Sequence, residues 1–307
     1  MSKKPDPTAW RDVHGIVLLD KPKGLSSNQA LQKVRRLYAA AKGGHTGSLD
    51  PMATGLLPIC LGEATKIAGY LLGSGKAYVA TVELGTTTVT GDAEGEIDQV
   101  RPVPTLTAAD VEQALAPLRG RIWQTPPVYS ALKQGGVPLY RLARQGETVV
   151  VAPRQVEVHR LEVLSQTPLQ LTLLVECGSG TYIRSLAVDL GGALGCGAHL
   201  SALRRTWVDP FRVPQMFTVD ALEATLATQG RAALDRLILP TDQGLAGMPL
   251  VTLDADQARR LQMGQPVRVG ALAPGLCRVH DAAGHLIALG EVEAGDLKVR
   301  RGLNLPV

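Results

Sequence analysis

Residues 43–66 place a few ionisable side chains in an apolar, glycine-rich segment, GGHTGSLDPMATGLLPICLGEATK. One of them, Asp50, comes directly before Pro51, which favours an extended backbone for the aspartate. A carboxylate in this setting has two interpretations. It caps the N-terminus of a helix that has proline at its first position, or it takes part in catalysis. Spacing alone favours the cap, and both interpretations stay open at this point.

A cation without an acidic neighbour on its own helix lies in the segment GSGTYIRSLAVDL. The pattern predicts a helix capped by Thr181, which places Arg184 in the first turn, where a positive charge opposes the helix dipole. Ala187 and Val188 stand three and four positions further on, so no carboxylate on the same helix pairs with the arginine. If Arg184 is buried, it needs an acid from elsewhere, and Asp50 is a candidate. Otherwise it is a solvated surface arginine.

Other motifs of catalysis and metal binding are missing from the sequence. The run Gly73-Ser74-Gly75-Lys76 does not make a phosphate-binding loop, because Tyr70 stands where glycine is required five positions before Gly75. The six histidines are not clustered at ligand spacing, so we expect no metal. Four cysteines without paired spacing are expected to be buried, reduced thiols of a cytoplasmic protein: Cys60, Cys177, Cys196 and Cys277.

Basic residues are concentrated in two regions of a chain whose formal net charge is +4. Residues 1–45 hold nine lysines and arginines against three aspartates, and residues 119–160 hold seven against two glutamates. Separated basic regions suit a polyanion that lies across the surface. The sequence pI of 8.9 nevertheless does not exceed the value of about 9 typical of a strong nucleic-acid footprint. On charge alone, side chains that only solvate the surface are the simpler interpretation.

The sequence predicts neither a membrane span nor a signal peptide. The longest stretch without a charged residue, residues 190–203, has 14 residues, whereas a span needs about 18. The N-terminal sequence MSKKPDPTAW has no apolar run after its lysines. Eleven aromatic residues in 307 also argue against an RNA-binding surface built mainly on stacked rings.

Hydrophobic periodicity and helix caps predict a mixture of strands and helices. Residues 15–20, GIVLLD, are expected to form a buried strand, and residues 77–84 a second strand in which Tyr78 is either a core residue or a site residue. Residues 155–164 and 169–177 are expected to pair as strands. Helices are predicted to start at these caps: Ser26 or Ser27, Thr107 with Asp110 in a capping box, and Thr218.

Two segments depart from this pattern. Residues 124–154 contain four prolines and several basic residues, which predicts an insertion that leaves the sheet, with a short helical piece around residues 139–145. From residue 248 onward, a short helix and a hairpin predict a small β-rich domain. The expected class is α+β, with a mixed, mainly antiparallel sheet, flanking helices and a site in a cleft across the sheet. The expected domains are residues 1–247 and 248–307.

Five blocks of sequence, in order along nearly the whole chain, resemble the tRNA pseudouridine-55 synthases of the TruB family. The blocks are GIVLLDKPKGLSSNQALQKVRRLY, GGHTGSLDPMATGLLPICLGEATK, KAYVATVELGTTTVTGDAEGEI, TPPVYSALKQGGVPLYRLARQGE and GSGTYIRSLAVDLGGALGCGAHLSALRR. The resemblance implies the pseudouridine synthase fold with a central cleft. It further implies a thumb-like, RNA-binding insertion at about residues 124–154 and a reduced PUA-like, β-barrel-like RNA-binding domain at residues 248–307. One departure is Val89, where relatives often have aspartate.

The activity implied by the resemblance is that of an isomerase. It converts uridine 55 in the TΨC loop of tRNA to pseudouridine, and the target nucleotide is flipped out of the loop for the reaction. The reaction uses no metal or other cofactor. The expected partner is the T arm of tRNA, with no membrane and no obligatory protein partner, and the expected location is the cytoplasm.

Individual residues also take roles from the resemblance. Asp50 matches the essential aspartate, which acts as a nucleophile or as a base. Arg184 matches the arginine that pairs with it, and Tyr78 matches the tyrosine that stacks on the base and helps to remove the C5 proton. The residues expected to bind substrate are His45, which enters the RNA loop, Asp92, which shares Arg184, Tyr182 and Leu203, which line the base pocket, and Lys21 and Lys133, which meet phosphates.

Three other functions compete with this one. The chain could be a non-catalytic module that binds or folds tRNA, in which case Asp50 is dispensable. It could be a guide-RNA-dependent pseudouridine synthase, which would need protein partners. It could also be a carboxylate hydrolase of small molecules, for which no salt-dependent RNA binding is expected.

Overall fold

The computed structural model describes residues 10–72, 75–130, 132–139, 145, 149–270 and 272–305. The helical piece expected around residues 139–145 falls largely outside them. The chain folds into two compact units. Unit 1 contains Met1–Pro51, Leu56–Leu72 and Asp209–Val307, and unit 2 contains Met52–Gly55 and Gly73–Val208.

The N-terminal part of unit 1 contains paired strands and one amphipathic helix. The buried strand predicted from GIVLLD is confirmed, and strand β3 pairs with it and, antiparallel, with β2. The elements are β1 (Gly15–Lys21), α1 (Ser27–Leu37), β2 (Gly43–His45), β3 (Thr54–Leu61), a 3₁₀ helix (Gly62–Lys66) and α2 (Ala68–Leu72). Strand β3 begins in unit 2 and continues in unit 1.

A larger sheet dominates unit 2. Its elements are β4 (Lys76–Leu84), β5 (Thr86–Thr88), β6 (Ile97–Val100), α3 (Ala108–Leu115), a 3₁₀ helix (Ala116–Leu118), β7 (Gly120–Gln124), β8 (Lys133–Gln134), β9 (Val137–Pro138), β10 (Arg154–Gln166), β11 (Gln170–Cys177), α4 (Ile183–Ala193) and β12 (Ala198–Val208). The strand order is β3-β12-β4-β11-β10-β7, where β3 contributes Thr54 and Gly55. Only the β3–β12 pairing in this series is parallel, which confirms the mixed, mainly antiparallel sheet and the predicted pairing of β10 with β11.

The remainder of unit 1 follows β12. Its elements are α5 (Val219–Gln229), α6 (Arg231–Asp235), a 3₁₀ helix (Thr241–Leu245), β13 (Leu250–Thr252), α7 (Ala255–Gln262), β14 (Val267–Arg268), β15 (Gly275–His280), β16 (Leu286–Glu293) and β17 (Asp296–Gly302). The last five strands form a sheet of their own, β13-β15-β16-β17-β14, with its own apolar core. This agrees with the small β-rich region expected near the C-terminus, although the exact division at residue 247 stays a prediction.

Polar caps fix the starts of three helices where the sequence predicts them. Of the two candidates for α1, Ser26 is the cap, because its hydroxyl accepts the backbone N–H of Gln29. Thr107 caps α3 in a capping box with Asp110, and Thr218 caps α5. Such caps satisfy N–H groups that have no partner within the helix.

The predicted cap of α4 is wrong. The helix begins at Ile183, after Tyr182 in the N-cap position, and no side chain of its own caps it. The Thr181 hydroxyl instead donates to the carbonyl of Gly178 at 3.2 Å. The competing bond within the loop removes Thr181 from the helix.

Helix α4 approaches β12 closely at Gly191. A Cβ atom on Gly191 would lie 2.2 Å from the backbone nitrogen of Ala198. The carbonyl of Gly191 also accepts the N–H of Gly197 at 2.9 Å. The absence of a side chain at this one position therefore sets the distance between the helix and the strand.

The four cysteines are free and buried, as the sequence predicts. Among the described residues, no helix has the length and apolar character needed to cross a membrane.

We expect alanine substitutions at two adjacent glycines of α4 to have opposite effects on stability. Gly191→Ala should lower the free energy of unfolding by about 1–3 kcal/mol, because its methyl group would overlap the backbone of β12. Gly192→Ala meets nothing within 4 Å and should raise it by up to about 1 kcal/mol through helix propensity. Chemical denaturation of the two variants measures both effects, and equal effects would contradict this account of the packing.

Candidate active site

A buried guanidinium group lies at the start of α4. The Arg184 side chain is only 4% exposed, which excludes a solvated surface arginine. Its Nη1 donates to the carbonyl of Thr90 at 3.0 Å, and its Nη2 donates to the carbonyl of Tyr129 at 2.8 Å. Nη1 also lies 3.4 Å from Oδ2 of Asp92, whose side chain is 5% exposed. The structure thus brings Arg184 and Asp92 together as a buried ion pair.

A tight turn holds the carboxylate of Asp92. Its Oδ1 accepts hydrogen bonds from the Thr90 hydroxyl at 2.6 Å and from the backbone N–H of Glu94 at 3.1 Å. The Thr88 hydroxyl donates to the Asp92 carbonyl at 2.6 Å. Val89 is exposed, and the bonds that hold Asp92 in this turn come from Thr88, Thr90 and Glu94.

Tyr78 and Leu203 lie on one face of the unit 2 sheet. Tyr78 is opposite Val175 on β11 and opposite Arg205 on β12, and Leu203 is opposite Ala80. Directly opposed residues share a face, as do residues two apart on a strand. Tyr78, Leu203 and the fully buried Arg205 are therefore neighbours on this face.

Steric contact explains why glycine stands at position 55, in the sequence Ala53-Thr54-Gly55. Gly55, the second residue of β3, has a φ of +97°, in the region that residues with a side chain rarely adopt. A Cβ atom on Gly55 would lie 2.2 Å from the carbonyl oxygen of Arg205. The parallel contact between β3 and β12 therefore requires glycine here.

Asp50 lies in unit 1 and does not cap a helix. Pro51 and Met52 form a turn after it, and strand β3 then begins at Thr54. The cap interpretation is therefore wrong, because no helical N–H groups follow the carboxylate. Asp50 is half-buried. Its expected pairing with Arg184 stays a prediction.

Main-chain hydrogen bonds anchor the loop on both sides of Asp50. The buried Ser27 hydroxyl donates to the carbonyl of Leu49 at 3.0 Å and accepts the N–H of the same residue at 2.7 Å. On the other side, the carbonyl of Pro51 accepts the N–H of Gly24 at 2.8 Å. Gly24 and the first residue of α1 thereby fix the backbone that carries Asp50.

Lys21 is a further anchor of this loop. The structure therefore corrects the expectation that Lys21 contacts a phosphate. Its side chain is fully buried. The ammonium group donates to the carbonyls of Pro22 at 2.9 Å, Leu25 at 2.7 Å and Pro51 at 3.4 Å. A charge enclosed in this way binds the protein's own carbonyl groups and is not on the surface that would meet a phosphate.

The other expected site residues take these places. His45 is the last residue of β2, half-buried, and opposite Ile59 on β3. Lys133 lies in β8, which pairs with β9. Tyr182 is the N-cap residue of α4 and is half-buried. The expected roles of these three residues toward RNA stay predictions.

The thiol in the same segment as Asp50 is not a competing nucleophile. Cys60 lies in the interior of β3, and burial raises its pKa to about 12. It is therefore protonated at physiological pH. Within the described part of the chain, no group of three or more His, Cys, Asp or Glu side chains is arranged to hold a metal ion.

Comparison with known proteins identifies the fold and the family. Three family models match consecutive parts of the chain: the N-terminal domain of the TruB family pseudouridylate synthases at residues 35–183, the C-terminal domain of tRNA pseudouridylate synthase B at 184–246, and the C-terminal region of pseudouridine synthase II TruB at 249–303. The chain belongs to the TruB family of pseudouridine synthases. These matches confirm the resemblance that the five sequence blocks indicated.

Relatives of this TruB chain match it over almost its whole length. The protein named tRNA pseudouridine synthase B from Xanthomonas campestris pv. campestris (strain B100) is 56% identical over 296 residues, covering 96% of each chain. The protein of the same name from Pseudomonas aeruginosa (strain UCBPP-PA14) is 51% identical, covering 95% of this chain and 96% of its own. Among solved structures, a chain in the crystal structure of a Cbf5-Nop10-Gar1 complex has a TM-score of 0.73 and 25% identity, covering 94% of this chain and 84% of that one.

Sequence reasoning missed several residues that build the candidate site. The carbonyl groups of Thr90 and Tyr129 have no signal in the sequence, because a main-chain acceptor is independent of residue type. Ser27 was considered only as a helix cap, whereas its hydroxyl binds the main chain of Leu49. Arg205 was hidden in the pair Arg204-Arg205, which is typical of an exposed strand. The alternation of faces along β12, once its burial is known, distinguishes the two arginines.

We expect two lysines in the segment before α1 to differ in their contribution to stability. Lys21→Met removes the donor of three buried hydrogen bonds and should lower the free energy of unfolding by about 1–3 kcal/mol, because the carbonyl groups lose their partner. Lys23→Met, at an exposed position two residues away, should change it by less than about 0.5 kcal/mol. Denaturant titration of both variants tests this. A Lys21→Met protein with the free energy of unfolding of the wild type would contradict the anchoring role.

Neutralising Asp92 should destabilise unit 2. Asp92→Asn leaves the buried Arg184 guanidinium without this counter-charge, and removal of one member of a buried pair costs about 3–5 kcal/mol. The control is Asp98→Asn, whose carboxylate is exposed and accepts only the Thr87 hydroxyl among the bonds described here. Thermal melting at neutral pH compares them. Similar melting temperatures for the two variants would show that the pair is not buried in solution.

Proposed function

We propose that this chain isomerises uridine 55 in the TΨC loop of tRNA to pseudouridine. The observation that carries the proposal is the 51–56% identity, over 95–96% of the chain, to proteins named tRNA pseudouridine synthase B. A buried arginine and aspartate pair and a buried tyrosine in the sheet of the same unit support it, because they match the residue types that the family uses for this reaction. The cytoplasm, where tRNA is found, is the location we propose.

The reaction is an exchange of bonds within one nucleotide. The bond between N1 of uracil and C1′ of ribose breaks, the base turns, and a bond forms between C5 and C1′. The proton on C5 leaves, and N1 gains a proton. Atoms and electrons balance without a co-reactant, so the proposal includes no cofactor.

The role proposed for Asp50 requires an ionised carboxylate. A pocket that holds a nucleobase is largely apolar, and burial there raises the pKa of an aspartate and favours its neutral form. A guanidinium offsets this penalty because it stays charged at any relevant pH. We propose that Arg184 supplies that charge to Asp50, in addition to its ion pair with Asp92.

The flipped base needs a rigid apolar surface in the protein. The RNA loop needs another group in the place that the base has left. Tyr78 and Leu203, both buried in the unit 2 sheet, are proposed to contact the flipped uracil together with Tyr182. Unstacking a nucleotide costs a few kcal/mol, and the gap in the loop must be filled. The imidazole of His45 is proposed to fill it.

The proposed RNA contacts outside the base pocket are electrostatic. Lys33, Arg36 and Lys42 are exposed in and after α1 and are available for phosphate oxygens, as is proposed for Lys133 in the insertion. Phosphate contacts position an RNA without reading its sequence. Binding should therefore weaken steeply as the salt concentration rises.

A guide-RNA-dependent synthase is the second candidate, because the chain has a TM-score of 0.73 against a protein solved in a Cbf5-Nop10-Gar1 complex. That likeness is at 25% identity, whereas the relatives named tRNA pseudouridine synthase B reach 56%. We therefore favour an enzyme that acts on tRNA without a guide or an obligatory protein partner.

Incubation of the purified chain with unmodified tRNA transcript tests the proposal. Wild-type protein should release tritium from C5-labelled uridine and place pseudouridine at position 55. Asp50→Asn should reduce turnover to less than about 1% while it retains RNA binding, since the loop anchors do not use the Asp50 side chain. Asp12→Asn, at an exposed carboxylate, is the matched control and should retain full turnover.

Each result distinguishes the candidate functions. Full turnover by Asp50→Asn would refute the catalytic assignment. RNA binding without turnover by the wild type would favour the non-catalytic tRNA-binding module, and turnover only on addition of a guide RNA and partner proteins would favour the guide-dependent enzyme. Pseudouridine at another position would refute the proposed target.

A further inference from the structure

The two ends of the insertion face each other at the edge of the unit 2 sheet. Gln124 is the last residue of β7, Arg154 is the first residue of β10, and the two are directly opposite in the antiparallel pair. They are also the first and last residues of the insertion predicted at residues 124–154. We call Gln124, Thr125, Tyr129 and Arg154 the foot of the insertion.

Gln124 uses its whole side-chain amide on one other residue. Its Oε1 accepts the backbone N–H of Tyr182 at 2.7 Å, and its Nε2 donates to the carbonyl of Tyr182 at 3.1 Å. The Gln124 residue is 1% exposed, so water does not compete for these bonds. Tyr182 is the N-cap residue of α4, whose start has no side-chain cap of its own. The side-chain amide of Gln124 therefore fixes the start of α4, which has no side-chain cap.

Arg154 holds the same segment from the other end of the foot. Its guanidinium lies over the ring of Tyr182, 5.1 Å from the ring centroid, which is a favourable cation–π geometry. It also donates a hydrogen bond to the carbonyl of Gly180. The backbone and the ring of Tyr182 are thus held by two different residues.

Two further bonds connect the foot with the first turn of α4. The Ser185 hydroxyl donates to the carbonyl of Thr125 at 2.9 Å. Nη2 of Arg184 donates to the carbonyl of Tyr129 at 2.8 Å. Every residue of the foot consequently contacts residues 180–185, the segment that carries Tyr182 and Arg184.

We propose that the foot of the insertion positions Tyr182 and Arg184 for the reaction, with Gln124 as the central positioning residue. The inference rests on the proposed function, because it concerns the pocket for the flipped base. Gln124 touches no substrate in this account and acts through the main chain of Tyr182. Its two bonds are neutral and directional, so they set the place of the helix start without adding a charge beside the buried ion pair of Arg184.

Gln124→Met tests the proposal with little change in side-chain volume. The variant should lower the single-turnover rate at saturating tRNA about tenfold to a hundredfold, since a displacement of about 1 Å in a reacting site has effects of that size. KM for tRNA should change less than about threefold, because the phosphate contacts are untouched. Amide hydrogen exchange should become faster at Tyr182, whose N–H loses its acceptor. Gln155→Ala, at the next residue of β10 on an exposed side, is the matched control and should change none of these quantities.

A second variant separates the two bonds. Gln124→Glu keeps the acceptor for the N–H of Tyr182 and loses the donor to its carbonyl. It should retain most of the exchange protection and have a rate between those of the wild type and Gln124→Met. If Gln124→Met does not fold, Arg154→Met provides the test instead, and it should lower the single-turnover rate with KM nearly unchanged.

The outcomes distinguish a failure of this proposal from a failure of the proposed function. A Gln124→Met protein with a lower melting temperature but the wild-type single-turnover rate would overturn it, because the role would then be structural only. Unchanged exchange at Tyr182 would also overturn it. If wild-type protein shows no turnover on tRNA, the proposed function fails, while hydrogen exchange at Tyr182 still decides whether Gln124 fixes this segment.

Discussion

The burial of one guanidinium group organises unit 2. Both the loss of hydration and the direction of the helix dipole oppose a cation at the second position of α4. The fold compensates with the carboxylate of Asp92 and with carbonyl groups from Thr90 and Tyr129, which come from distant parts of the chain. Each of these segments must be in place before the charge of Arg184 is tolerable, so the arginine joins their positions into one arrangement.

Each unit contains a candidate-site segment that is held through its main chain by side chains from elsewhere in the same unit. In unit 1, Ser27 and Lys21 bind main-chain atoms of the loop that carries Asp50. In unit 2, Gln124 binds the main chain of Tyr182. In both cases the bonds are made to the main chain, so the position of the backbone does not depend on the side chain of the residue that is held.

The sequence predicted the elements better than the connections between them. Buried strands and the caps at Ser26 and Thr107 follow from local chemistry, and the structure confirms them. Thr181 and Lys21 were misjudged because each has a nearby carbonyl partner that periodicity and charge do not reveal. Asp50 was recognisable as a chemical group only through the resemblance of its whole motif, since aspartate followed by proline also starts helices.

The anchors of the Asp50 loop have a consequence for how this segment tolerates change in evolution or in a design. They engage the amide group of Leu49 and the carbonyl groups of Leu49 and Pro51, so these bonds do not depend on the atoms of the side chains at positions 49 and 51. The number of residues matters far more. A single insertion between Gly24 and Ser27 would change the spacing between these two residues, so the bonds to Leu49 and to Pro51 would no longer form together.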